Sequence, residues 1–257
     1  MVPSYSVPAA RHRTFIATLA HELRQPLSVL TSGIDIVSIA PSSAEAALAI
    51  ASMQRQAAQM KQMIDDLLDE ARWAAGTVTL RTQRLNVCQL VHEAAHDSRA
   101  AVMVRGLTME IDVPNRPLWV NADPVRLHQA LSNLLGNAVK FTERGGAISL
   151  TARQTAVGVA IHVRDTGHGI DPAALSSVFD LFSQVHPGAH AGLGIGLSVV
   201  REIMTLHRGL VEVRSAGAGR GAEFILTLPA AMAAVRPTIR YAPLPAPVSA
   251  PELWHAV

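Results

Sequence analysis

Between residues 11 and 39 the apolar positions Ile16, Leu19, Leu23, Leu27, Leu30, Ile34 and Val37 recur in steps of three and four, the spacing of one helix face. The stretch "APSSAE" at 40–45 interrupts this pattern and offers Ser42 or Ser43 as the N-cap of a second helix. That helix follows a stricter heptad: Ile50, Met53, Ala57, Met60, Ile64, Leu67 and Ala71. Two helices with so short a connection predict an antiparallel hairpin. Each carries one apolar stripe that a lone hairpin covers poorly. Dimerisation into a four-helix bundle would cover both, the alternative being packing against the rest of the chain.

From residue 77 the texture changes. "TVTLRTQRLNV" reads as a strand leading into a helix at 86–104, and "LTMEIDV" and "LWVNAD" as strands flanking a turn at Pro114–Pro117. A helix is expected over 123–142, a strand pair at "AISLTARQT" and "GVAIHVRDTG", a further helix at 193–207, and closing strands at "GLVEVRS" and "AEFILTLP". Strands run consecutively without a parallel-sheet repeat, which predicts an α/β sandwich with helices on one face. The fold class is therefore α+β. The expected division is a hairpin over 1–76, a catalytic domain over 77–230 and a proline-rich, unfolded tail over 231–257.

Composition narrows the function classes. Of 257 residues, 49% are hydrophobic and only 4% aromatic, so Ala, Leu, Val, Ile and Met build the core. A net charge of +2 is too slight to argue for nucleic acid or an anionic membrane as a partner. The single cysteine, Cys88, cannot form an internal disulfide, which suggests a reducing, cytoplasmic setting. No apolar run reaches the roughly 20 residues of a membrane span, and the N-terminus lacks the pattern of a signal peptide. No membrane contact is expected from this segment.

Three polar elements stand out against that background. In "RLHQALSNLLGNAVKFT", Asn133, Asn137 and Lys140 fall at i, i+4 and i+7, so two amides and an ammonium share one helix face. Amide oxygens suit Mg²⁺, and a lysine suits phosphate. A solvated polar stripe is the plainer reading of that helix alone. "DTGHGID" follows a strand, so Asp165 could accept a hydrogen bond from an exocyclic amine while Gly167 and Gly169 permit close backbone approach. "AGLGIGLSVV" places Gly192, Leu193, Gly194 and Gly196 before a helix, where free amides face an incoming phosphate. Neither glycine cluster matches a P-loop or a dinucleotide fingerprint. Upstream, "LAHELRQPLSV" sets His21 beside Glu22 and then accepts Pro26 within a helix.

"HELRQPL", "NLLGNAVKFT", "DTGHGI", "FDLFSQV" and "GLGIGL" together resemble the phosphoacceptor, asparagine, first glycine, phenylalanine and second glycine boxes of bacterial two-component sensor histidine kinases. The resemblance runs from about Arg11 to Pro229, in the family's order. It implies a dimerisation and phosphotransfer hairpin followed by a Bergerat-type ATP-binding domain. The activity it implies is that of an ATP-dependent protein-histidine kinase, with ATP and Mg²⁺ as cofactors and a response-regulator receiver domain as partner. By that resemblance Asn137 is the principal Mg²⁺ ligand, Asn133 and Lys140 lie near the phosphates, and Asp165 contacts the adenine amine. His21 would be the phosphoacceptor, a neutral imidazole nitrogen attacking the γ-phosphorus of ATP. Glu22 is then placed to accept or orient the imidazole proton. Pro26 cannot donate to the Glu22 carbonyl and would loosen the helix there. The other ten histidines are given no role.

Two departures shape the expectations. Gln25 stands where many family members carry a Thr or Asn implicated in dephosphorylating the partner, and its longer reach argues against that activity. The lid "SQVHPGAHA" is short and contains neither Lys nor Arg, so only His186 and His190 could add positive charge there. Slow autophosphorylation is expected, or a lid completed by the hairpin. Only about 20 residues precede His21, so sensing belongs to another segment or another chain. A degenerate kinase acting as an ATP-binding scaffold and a conformational ATPase are the rival readings. Replacing His186 and His190 together by Ala should lower the single-turnover autophosphorylation rate; a flat rate removes the lid histidines from the account.

Overall fold

In the computed structural model, which describes residues 9–39, 42–74, 78–183 and 194–230, the two amphipathic stretches form helices α1 (Ala9–Ile39) and α2 (Ser43–Ala74), packed against each other. The cap between them is Ser42. Its hydroxyl accepts from the Glu45 amide at 3.3 Å and donates to the Glu45 carboxylate at 2.9 Å. α1 continues through Pro26, whose ring is buried.

The heptad of α2 is covered only in part in the single chain. Met53, Met60 and Leu67 are half-buried, but Ile50 and Ile64 are exposed, and the buried residues are Ala49 and Met63, outside the heptad set. The apolar surface of α2 is broader than a two-stranded seam. One edge serves α1 and the following domain, and the other stays open in the single chain. α1 shows the same division: Leu19 and Leu23 pack toward the core, while Leu27, Ile34 and Val37 are exposed.

Beyond the hairpin come β1 (Gln83–Asn86), α3 (Val87–Arg105), β2 (Thr108–Asp112), β3 (Trp119–Ala122) and α4 (Pro124–Phe141). β4 (Ala147–Gln154), β5 (Gly158–Asp165), α5 (Gly196–Leu206), β6 (Leu210–Arg214) and β7 (Glu223–Pro229) complete the described chain. A five-stranded sheet runs β2-β4-β5-β7-β6, antiparallel except for the parallel β2–β4 pair, and β1 pairs with β3 in a separate two-stranded ladder. The strands on either side of Pro114–Pro117 therefore belong to different sheets. The strand expected from residue 77 shortens to four residues, because the Arg81 amide is taken by the Asp123 carboxylate rather than by a ladder partner.

Alternation on the strands explains the layering. Ile148, Leu150 and Ala152 of β4 and Val159, Ile161 and Val163 of β5 face the buried side with Phe224, Leu226 and Leu228 of β7. Leu127, Leu131, Leu134 and Leu135 of α4 meet them there, with Val199, Val200 and Ile203 of α5 and Val87, Leu90 and Val91 of α3. Met63 joins the same cluster, and α2 packs against α5. Leu134 is fully buried in this layer. Leu134→Ala is expected to destabilise the chain by about 2–5 kcal/mol, read from the midpoint of urea unfolding.

Candidate functional site

α4 supplies one wall of the site, and both its ends are fastened. Asp123 is the N-cap: its Oδ1 accepts from the Val125 and Arg126 amides at 3.0 and 3.2 Å, and Pro124 occupies the first turn. At the other end the Phe141 carbonyl accepts from the His168 amide at 3.0 Å, which joins the helix to the first glycine loop. Asn133 and Asn137 are half-buried rather than packed into hydrocarbon. Asn133 Nδ2 donates to the Gly196 carbonyl at 3.1 Å, leaving its oxygen uncommitted among the described residues. Among those residues the Asn137 carboxamide has no hydrogen-bond partner, so its hard oxygen is available for a cation. Lys140 Nζ lies 5.0 Å from the centre of the Phe141 ring. With Val104, Arg105, Thr142, Glu143, Arg144 and His168 it lines a cleft of about 390 Å³ at the C-terminal end of α4, to which Asn133, Asn137 and Asp165 do not contribute. The Thr142 hydroxyl is buried with no protein partner, an orphan that a water or ligand atom would satisfy.

Asp165 ends β5, buried in the wall opposite α4. Its Oδ1 accepts from the Gly167 amide at 2.8 Å and the Ala222 amide at 3.2 Å. Burial pushes its carboxyl above the usual carboxylate range, and these two amides and nearby His168 pull it part of the way back. One oxygen is thereby fixed, and Oδ2 remains to accept from a ligand N–H. Gly169 has φ +70°, and a Cβ there would collide with the Gly217 carbonyl; one at Gly167 would collide with the carbonyl of Phe141.

The second glycine box is described only in part: Gly192 and Leu193, with the rest of the lid at 184–191, lie outside the described residues. Gly194 accepts from the Phe182 amide at 3.0 Å, closing the base of that segment. Phe182 itself adopts φ +66°. Gly196 is the first residue of α5, three residues later than the pattern suggested. Its N-cap, Ile195, has no side chain able to cap, so the first amides of α5 are left for an anion.

The structure thus brings Asn133, Asn137, Lys140, Asp165, Gly167, Gly169, Gly194 and Gly196 together on α4, the β5 loop and the start of α5. His21 and Glu22 lie within α1, and their side chains are outside the description. The sequence reading missed a third glycine loop, "SAGAGRGA" at 215–222. Gly219 and Gly221 donate to the carbonyls of His168 and Gly167 at 2.6 and 3.1 Å, and Ser215 Oγ accepts from the Ile170 amide at 2.9 Å. Its alternating glycines repeat the pattern of "GLGIG", which was the available signal. Phe141 and Thr142 were also passed over, although they end the quoted α4 sequence.

Two family models match the chain: "His Kinase A (phospho-acceptor) domain" over residues 11–76, and "Histidine kinase-, DNA gyrase B-, and HSP90-like ATPase" over residues 122–232. The sensor histidine kinase AtsR of Burkholderia thailandensis is 31% identical over 227 residues, covering 86% of this chain and 37% of AtsR. Among solved structures, full-length ShkA in complex with AMPPNP is 30% identical with a TM-score of 0.63, covering 84% of this chain and 46% of ShkA. Histidine kinase ThkA in complex with the response regulator protein TrrA has a TM-score of 0.64 at 21% identity, covering 87% of this chain and 64% of that one, a likeness of fold. The chain spans well under half the length of curated relatives such as AtsR.

The geometry at Asp165 gives opposite signs for folding and for ligand binding. Folding favours the protonated carboxyl, so its contribution to stability is present at low pH and lost as pH rises through the raised value. The role proposed below, accepting from an adenine amine, needs the carboxylate instead. ATP affinity measured by calorimetry is expected to fall on acidification, beginning above the range of an ordinary aspartate. Asp165→Asn keeps the acceptor for the two amides but turns an NH₂ toward the ligand, so affinity should drop about ten- to a hundredfold and lose this pH dependence.

Proposed function

The chain belongs to the histidine kinase family, as its catalytic portion, and we propose that it autophosphorylates His21 from Mg-ATP and passes the phosphoryl group to an aspartate on a response-regulator receiver domain. The observation that carries this reading is the pairing of an unpartnered Asn137 carboxamide with a backbone-fixed Asp165 carboxylate, framed by glycine loops and the uncapped start of α5. That set suits a nucleotide: Asp165 for the base, Asn133 and Lys140 for the phosphates, and backbone amides for their remaining oxygens. Mg²⁺, held through the Asn137 oxygen, would neutralise charge on the phosphates. The described donors fit it, since Mg²⁺ takes few protein ligands and completes its shell with water and phosphate.

In the reaction the neutral imidazole of His21 forms an N–P bond as the bond from the γ-phosphorus to the β–γ bridging oxygen breaks, and ADP leaves. Glu22 takes the imidazole proton. The receiver carboxylate then attacks the phosphorus as the N–P bond breaks, and the proton held by Glu22 returns to the leaving imidazole, which gives an aspartyl phosphate and restores neutral His21. ShkA with AMPPNP, an ATP analogue, and ThkA with TrrA are precedents for the nucleotide and for the partner.

The same reading assigns residues 1–76 to the hairpin, 77–230 to catalysis and 231–257, outside the described residues, to a tail. It also makes the chain a homodimer. Ile34 and Ile64, 58% and 47% exposed, belong to the open apolar edge that a second hairpin would cover. Among the described residues no helix is long and apolar enough to cross a membrane; the proposed location is the cytoplasm, where ATP and a receiver partner are found.

Incubation with γ-labelled ATP and Mg²⁺ is expected to leave an acid-labile, alkali-stable label on the protein, absent in His21→Ala and strongly reduced in Asn137→Ala. ATP binding without label would make the protein a scaffold. Phosphate release without a labelled intermediate would make it an ATPase.

A further inference from the structure

Asp123 uses its two carboxylate oxygens for different segments of the chain. Oδ1 caps α4 through the Val125 and Arg126 amides, as described above. Oδ2 accepts from the backbone amide of Arg81 at 2.8 Å, a residue 42 positions earlier that lies between the end of α2 at Ala74 and the start of β1 at Gln83. The Asp123 amide in turn donates to Nε2 of His207 at 2.8 Å, and Nδ1 of His207 pairs with the Ile203 carbonyl at 2.8 Å. A single tautomer, protonated at Nδ1, satisfies both contacts. Asp123 and His207 are each 7% exposed, so these bonds are shielded from competing water.

The consequence is a junction of three elements. The segment leaving the hairpin, the N-terminus of the helix that bears Asn133 and Asn137, and the C-terminal end of α5 all meet at Asp123, the first two at its carboxylate and the third at its backbone amide. α4 and α5 are also joined at the other end of their contact, through Asn133 and the Gly196 carbonyl. A displacement of the hairpin that pulls on residue 81 therefore acts on the base of the nucleotide-binding helix rather than on a loose connector.

We propose that Asp123 is a positioning residue that latches the interdomain segment to the nucleotide-binding helix, limiting how far the phosphoacceptor hairpin swings from the bound nucleotide. This rests on the kinase reading above. Its physical basis is effective concentration: a connector fixed at residue 81 is shorter than one first fixed by the β1–β3 ladder, and it holds the two reacting domains in a smaller volume. The helix cap and the latch are separable, because asparagine caps a helix about as well as aspartate. Asp123→Asn keeps an oxygen for Val125 and Arg126 but presents an NH₂ group to the Arg81 N–H, which removes that acceptor.

The test uses the full chain. In Asp123→Asn, amide hydrogen exchange at Arg81 should accelerate at least tenfold while exchange within α4 stays near wild type. The rate of His21 labelling should fall at least threefold with the KM for ATP unchanged. Arg81→Pro, which deletes the same bond from the donor side, should give the same loss of rate, and the double variant should add nothing further. Unchanged exchange at Arg81, a shift in KM in place of the rate, or additive losses in the double variant would overturn the latch. If the wild-type chain takes no label, the kinase reading falls, and the exchange at Arg81 still decides whether the bond holds the segment.

Discussion

The base-reading role proposed for Asp165 asks for a carboxylate that is removed from water and still held ready to accept. Asp165 meets both demands because the Gly167 and Ala222 amides occupy one of its oxygens, offsetting part of the cost of burial. The Ala222 amide reaches Asp165 because the β5 loop and the 215–222 loop are bonded together, and a Cβ at Gly169 or Gly221 would strike the backbone of the other loop. The sheet order follows from the same need. β5 and β7 must be neighbours for Ala222 to reach Asp165, and the parallel β2–β4 pair arises where the chain crosses over through α4 to reach that position.

The opposite wall depends on α4, whose two faces have different work. Leu127, Leu131, Leu134 and Leu135 anchor it in the core, so the face with Asn133 and Asn137 is held at a fixed height above the sheet. The hydrogen bonds at its ends, through Asp123 and the Phe141 carbonyl, keep it from sliding along its axis. Rigid placement of this kind lets a few polar groups act on phosphates without reorganising.

Much of this was legible in the chain because local patterns carried it. The 3.6-residue period marked α1 and α2, and the segments read as α4, α5, β4, β5 and β7 formed as expected, with burial alternating most clearly along β4. Where long-range contacts decide, the pattern failed. β1 shortens because Asp123 captures the Arg81 amide from 42 residues away, and no property of "TVTLRT" announces that. The strands around Pro114–Pro117 part into two sheets because β1, not β2, pairs with β3. In α2 the single chain packs Ala49 and Met63, outside the heptad, and leaves Ile50 and Ile64 on the edge assigned above to a second hairpin. Of the proposed site, Asn133, Asn137, Lys140 and Asp165 stood out by residue type and spacing. The 215–222 loop carried only its alternating glycines as a signal, and its amides matter only once β7 lies beside β5.

On the proposed reading, α4, the β5 loop and the 215–222 loop form one nucleotide site. ¹⁵N–¹H spectra of the full chain during titration with Mg-ATP decide this. Shifts are expected to concentrate at the amides of Asn137, Gly167, Gly169, Gly194 and Ala222, and to be far weaker with Mg-GTP, whose carbonyl cannot donate to Asp165. Shifts scattered away from these amides, or the same response to both nucleotides, would contradict it.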